Sequence, residues 1–280
     1  MERTIISFDY AIKYILRDKA NFDVLSGFLS ELLEKPVEVL EILESESNIE
    51  SPLEKTNRLD LKAKISGEEI ALFEIQFADQ IDFMGKILFN ACKAIVEQVS
   101  KGKKYDIKKV YSINIAYFDT IAENVRKDYV FRANLSKFKG VHFNEHIPFS
   151  QNLNPPMSAN DIHPEYFLIL PNKFDEQMRG KFDEWVYTLK KSKVRSDFTA
   201  AGLQECSEKL DVLKMTPEER AAYQRFLEDD MNYKSQIYTA ELKGKLEGKA
   251  EIAKEMKADG MPIEKIAKFT GLTIAEIKAL

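Results

Sequence analysis

The stretch Arg58–Phe77, reading RLDLKAKISGEEIALFEIQF, limits the fold of this chain more than any other. Leu59, Leu61, Ala63 and Ile65 alternate with Asp60, Lys62 and Lys64, the period of a strand with one buried face. Ser66-Gly67-Glu68 supplies a turn, and Ile70–Phe77 follows as a nearly continuous apolar run. The pattern predicts a hairpin. Closure around Gly67 sets Asp60 opposite Glu74 and Arg58 opposite Gln76. Directly opposed residues have Cβ atoms roughly 5 Å apart. Two carboxylates that close, on an otherwise apolar sheet, repel each other unless something compensates. A divalent cation does so directly, and Mg²⁺ commonly takes one or two protein carboxylates while keeping its waters. Phosphodiester hydrolysis uses such an ion. The competing reading of D-x13-E-x-Q is a surface hairpin with scattered charges, but a solvent-facing strand would carry more acids than the single Glu74 in ALFEIQF.

Helices and strands are predicted on both sides of this hairpin. Ser7 is placed to cap a helix carrying Phe8, Ile12, Ile15 and Leu16, and Phe22, Leu25, Leu29 and Leu33 mark a second helix before Pro36. Strands are predicted at Val37–Glu44, Val110–Phe118, Tyr129–Leu135 and Tyr166–Leu170, with loops over 45–57 and around Pro155-Pro156. Asp82–Ser100 reads as a helix with Lys86, Asn90, Lys93 and Glu97 along one face. After Glu176 only helical patterns remain: Met178–Lys191, a helix opening at Thr216-Pro217, another over Ile237–Ala258, and two short ones. The expectation is an α/β core over 1–175, a mixed sheet flanked by helices, followed by a helical region over 176–280.

Bulk properties narrow the function classes. The net charge of −5 gives no overall attraction to a polyanion, so a nucleic acid must be held by a local basic face or through metal ions. Cys92 and Cys206 lie far apart with no CxxC neighbour, which argues against zinc or a disulfide framework and for a reducing, cytoplasmic setting. No apolar run approaches the ~20 residues that span a bilayer, and the N-terminus lacks a signal-peptide core. His142, His146 and His163 form no metal motif.

In order along the chain stand FDYAIKYIL, RLDLKAK, FEIQ, DFMGKILFNACKAIVEQVSKGKKY, VYSINIAYF and the tail EGKAEIAKEMKADGMPIEKIAKFTGLTIAEIKAL. In this order the chain resembles the recombination-promoting nuclease and putative transposase family of the PD-(D/E)XK superfamily. The resemblance implies a restriction-endonuclease-like fold and DNA cleavage dependent on Mg²⁺, with Mn²⁺ as a substitute. It implies a role near recombination or mobile DNA. Asp60, Glu74 and Gln76 match the family's aspartate and E-x-Q positions, and Asp9, in the N-terminal helix motif, is a third candidate acid. Where relatives carry Arg and Tyr on the following helix, this chain has Lys86 and Asn90; lysine keeps the charge but loses the bidentate fork.

Gln76 can only hydrogen-bond where a lysine would bring charge. Lys62, on the face of Asp60, is the candidate to supply that charge; a solvated strand lysine is the equal alternative. Lys101, Lys103, Lys104, Lys108 and Lys109 form the densest basic run, readable as a DNA-backbone patch or as a solvated linker. In the tail, Thr273 and Glu276 form a capping box, Pro262 opens a helix and Gly271 a turn, giving a helix-turn-helix-like pair. Its last helix carries one lysine, Lys278, so packing or homodimerisation suits it better than DNA reading. Ala240, Gly244 and Gly248 at four-residue steps point to helix association. Two other readings stay open: a catalytically decayed nuclease serving as a DNA- or protein-binding module, and a nuclease acting on RNA.

Overall fold

The computed structural model describes residues 5–43, 59–77, 82–99, 106–118, 128–134, 138–139, 146–147 and 162–280. The chain divides into two compact units, Met1–Thr216 and Pro217–Leu280.

The first unit is built on the predicted hairpin, β2 (Leu61–Ile65) and β3 (Ile70–Gln76). Gly67 takes φ 74° in the turn, a left-handed conformation that costs glycine little. Leu61 pairs with Phe73 and Lys62 with Leu72, the register read from the sequence. To the hairpin are added β1 (Val39–Leu43), β4 (Val110–Ala116), β5 (Val130–Ala133) and β8 (Glu165–Ile169), in the order β1-β2-β3-β4-β8-β5. β3, β4 and β8 run parallel, and the outer pairings are antiparallel. The short pair β6 (Phe138–Lys139) and β7 (His146–Ile147) forms a separate sheet. The predicted strands are thus present: those around β1, β3 and β4 end short of their expected bounds, β8 begins and ends one residue earlier, and Leu135, the expected end of the strand at β5, lies outside the described residues.

Alternation along β3 divides the core. Phe73 points to one face, where its ring lies 5.9 Å from that of Phe28 on α2 (Phe22–Leu33). Phe28 also packs on Phe8 of α1 (Phe8–Tyr10) and on Trp185 of α4 (Lys181–Lys191), at 5.6 and 5.2 Å. Ile70 and Leu72 point to the other face, against Ala94 of α3 (Phe83–Val96), while Ile87 and Phe83 of α3 pack on Ala116 and Leu170. A two-faced mixed sheet between helices is the three-layer solution open to such a strand pattern.

The compositional boundary at 175/176 falls inside this unit. Trp185 is fully buried and its indole N–H donates to the Ala201 carbonyl at 3.0 Å. α5 (Leu203–Lys209) meets α2 where Gly27 touches Gly202; a Cβ on Gly27 would lie 2.3 Å from the Gly202 Cα, so neither position admits a side chain. These helices complete the sheet's layer, which their composition alone did not disclose.

α3 stops at Val96, short of Ser100. Its last bonds tighten to Gln98 N–H→Ile95 and Val99 N–H→Val96, and the Gln98 side chain bonds the Lys108 backbone instead of prolonging the helix.

The second unit is one 42-residue helix, α6 (Pro217–Ala258), with α7 (Ile263–Thr270) and α8 (Ile274–Ala279). The two helices predicted at Thr216 and Ile237 are one continuous element, because no glycine–proline break separates them. Gly271 closes α7 at φ 69°, and Thr273 with Glu276 makes the expected reciprocal cap. Ala253, Ile266 and Ile277 are the buried centre of this unit.

Candidate active site

The predicted carboxylates meet at the end of the hairpin. The β2–β3 ladder stops at Leu61–Phe73, and one step further along the same register Asp60 is level with Glu74. Asp60 is a bend residue, and its side chain replaces the missing rung: Oδ2 accepts the Ile75 N–H at 2.7 Å. The Arg17 guanidinium donates to the Asp60 carbonyl at 2.6 Å. Asp60 is therefore fixed through its side chain and its backbone.

Glu74 lies on the α3 face with Leu72 and is 4% exposed. Lys86, in the first turns of α3, donates to Glu74 Oε1. Glu74 Oε2 is buried with no hydrogen-bond partner among the described residues. Burial, and next the Asp60 charge, push the Glu74 carboxyl up to about 7, although Lys86 and Lys13 pull the other way.

Sequence reasoning missed Lys13. Its ammonium stands 2.7 Å from Asp9 Oδ1 and 3.6 Å from Asp60 Oδ1. Burial alone would lower its pKa, but Asp60 and Asp9 together outweigh that and raise it. The helix here is a π turn over Ala11–Ile15, with Leu16 N–H bonding back to Ala11 at 2.7 Å. Such turns are frequent at functional sites. The signal was present as Asp9, Lys13 and Arg17 at four-residue steps, one stripe of a helix. What sequence could not supply was the packing of that stripe across the hairpin end.

The remaining candidates are distributed unevenly. Gln76 ends β3, half-buried beside Ala116 of β4. Asn90 is buried on α3, one turn beyond Lys86. Lys62 shares the α3 face, but its ammonium pairs with Glu97 at 2.5 Å. Of the basic run, Lys109 is buried against Glu165 at 2.7 Å and Lys108 pairs with Asp106 at 3.1 Å. Burial alone would raise the Glu165 carboxyl, but Lys109 and Arg132 hold it below the ordinary range. Lys101, Lys103 and Lys104 lie outside the described residues.

Among the described residues no three His, Cys, Asp or Glu side chains gather into one metal-binding group. Asp9 is held to Lys13, and the donors beside one another are Asp60 and Glu74. Two hard carboxylate oxygens, one of them buried and without a hydrogen bond among the described residues, suit a divalent cation that keeps most of its waters. No helix among the described residues is long and apolar enough to cross a membrane.

Residues 6–240 match the family described as PD-(D/E)XK nuclease family transposase. No curated protein and no solved structure gives a significant match.

Proposed function

The chain belongs to the PD-(D/E)XK nuclease family transposases, and from that membership we propose that it is a divalent-metal-dependent endonuclease that hydrolyses DNA, working in the cytoplasm on recombining or mobile DNA. One observation carries the reading: a buried glutamate oxygen without a partner among the described residues, beside a second carboxylate, at the E-x-Q end of the central strand. Lys86 pairs with the other oxygen of Glu74, and a buried polar atom left without a partner is costly. In this reading Asp60 and Glu74 hold Mg²⁺ or Mn²⁺, and Asp9 acts through Lys13 on Asp60. The ion, when bound, supplies positive charge opposite the phosphate and acidifies water.

The chain's own groups do the rest. The Ile75 N–H and Arg17 hold Asp60 in place, and Lys86 positions Glu74. Gln76 offers hydrogen bonds at the strand end but no charge. Among the described residues Lys13 is the ammonium paired with Asp60, and in this reading it faces the scissile phosphate in the role first considered for Lys62, which is engaged by Glu97. Lys13→Met is therefore expected to slow cleavage on the order of tenfold or more, as for loss of one charge-stabilising group. Lys62→Met is expected to change the rate little. Equal losses in single-turnover assays of both variants would remove the distinction and point to general DNA affinity.

The direct test is supercoiled plasmid incubated with purified protein and Mg²⁺, Mn²⁺ or EDTA. Nicking with either ion and none in EDTA is expected. A second reading, a metal-free binding module, draws on the lysine partners that Asp60 and Glu74 already have. Protein that cuts neither DNA nor RNA, and shows no heat of Mg²⁺ binding in calorimetry, would establish that reading instead.

A further inference from the structure

We propose, on the reading of Asp60 and Glu74 as metal ligands, that Lys86 is an exchangeable counter-ion. It holds Glu74 in the metal-free protein, gives it up when a divalent cation binds, and is then free for a DNA phosphate. The contact itself points to exchange. The Lys86 ammonium donates to Glu74 Oε1, while Oε2 is buried with no hydrogen bond among the described residues. One ammonium thus offsets part of the cost of burying this carboxylate and leaves the rest. A cation on the same carboxylate would meet the Lys86 charge at close range, where like charges repel strongly in a buried setting.

Lys86 is the cation such an ion displaces, and Lys13 is not. Lys13 stands 2.7 Å from Asp9 and 3.6 Å from Asp60, so it keeps Asp9 when Asp60 is taken. Among the described residues Glu74 is the one acidic partner of Lys86. Lys86 also has a way out. It stands in the first turn of α3 with 18% of its side chain exposed, against 5% for Glu74, and its flexible stem lets the ammonium swing outward. Charge gives it a destination. Around the hairpin end the carboxylates of Asp9, Asp60 and Glu74 are answered by Lys13, Lys86 and Arg17. A divalent ion added to that set leaves a surplus of positive charge, which the phosphates of DNA relieve.

Melting and calorimetry of the full chain read the exchange without cleavage. Lys86→Met keeps the stem and removes the charge. In EDTA it should melt below wild type by on the order of 5 °C, because Glu74 loses its partner. Saturating Mg²⁺ should close that gap, and Mg²⁺ should bind the variant on the order of tenfold more tightly than wild type. Should Lys86→Met fail to fold, Lys86→Gln can still donate to Glu74 without a charge, and the same gain in Mg²⁺ affinity is expected of it. Glu74→Gln frees Lys86 with no ion present. In EDTA, Lys86→Met should therefore cost several-fold more affinity for a labelled duplex in that background than in wild type. Equal costs in both would overturn the phosphate step. Mg²⁺ affinity that is unchanged or weaker in the Lys86 variants, while wild type binds Mg²⁺ and nicks plasmid, would overturn the exchange and leave the metal site standing. No heat of Mg²⁺ binding in wild type or variants would overturn both. Heat from the variants alone would support the exchange, with Lys86 shutting the ion out.

Discussion

Asp60→Asn is expected to lower Mg²⁺-dependent DNA cleavage on the order of a hundredfold or more, the scale of losing one group that stabilises charge in a transition state. The substitution is nearly isosteric. An amide oxygen can still accept the Ile75 N–H, and the Arg17 bond goes to the backbone carbonyl, so the hairpin end should keep its shape. What is lost is one negative charge beside Glu74. DNA affinity should persist or tighten, because a carboxylate near the phosphate's path repels it. That affinity should fall with added salt, as binding through lysine and arginine does. Asp9→Asn should do less, since Asp9 reaches the site through Lys13. Single-turnover cleavage of a labelled duplex, with fluorescence anisotropy for binding, separates the two quantities. A loss of binding in step with cleavage would mean that Asp60 holds the fold together and has no part in the chemistry.

How much of this was legible in the sequence depends on the range of the interaction. The hairpin register followed from period-two alternation and one glycine turn, both local, and it set Asp60 level with Glu74. The Thr273–Glu276 cap is local too, and was equally plain. Lys13 was not found, because its role comes from a helix docking on strands some fifty residues away in sequence. Lys62 was assigned from its face alone; the face was right, but the four-carbon stem reaches Glu97 at the far end of α3. The boundary after residue 175 failed for a similar reason. α4 and α5 look like a helical domain in composition, yet Trp185 and the Gly27–Gly202 contact bind them to the sheet. Long-range packing decided each of these, and no local pattern reports it.

Glu74→Gln tests the electrostatics of the same site without substrate, through the pH dependence of stability. In the unfolded chain Glu74 titrates at its ordinary value of 4.5, and in the fold, where burial comes first and the Asp60 charge second, at about 7. Below the unfolded value both states hold the proton and the site costs nothing. Between the two values the unfolded state releases its proton while the fold keeps it, so stability falls as pH rises. Above about 7 the cost levels off at roughly 3 kcal/mol, from about 1.4 kcal/mol for each pH unit between the two values. Glutamine is neutral throughout and escapes that cost. In EDTA at pH 8 the variant is therefore expected to melt above wild type, by roughly 6–12 °C for a unit of this size. Near pH 4.5 the difference should vanish. Added Mg²⁺ should then stabilise wild type at pH 8 and leave the variant unmoved, since ligand bound only by the folded state raises its stability. A variant that melts below wild type at pH 8 in EDTA would show that Lys86 and Lys13 already neutralise Glu74 in full. A buried carboxylate so well satisfied by lysines would have no need of a metal ion, and the case for cleavage at this site would fall with it.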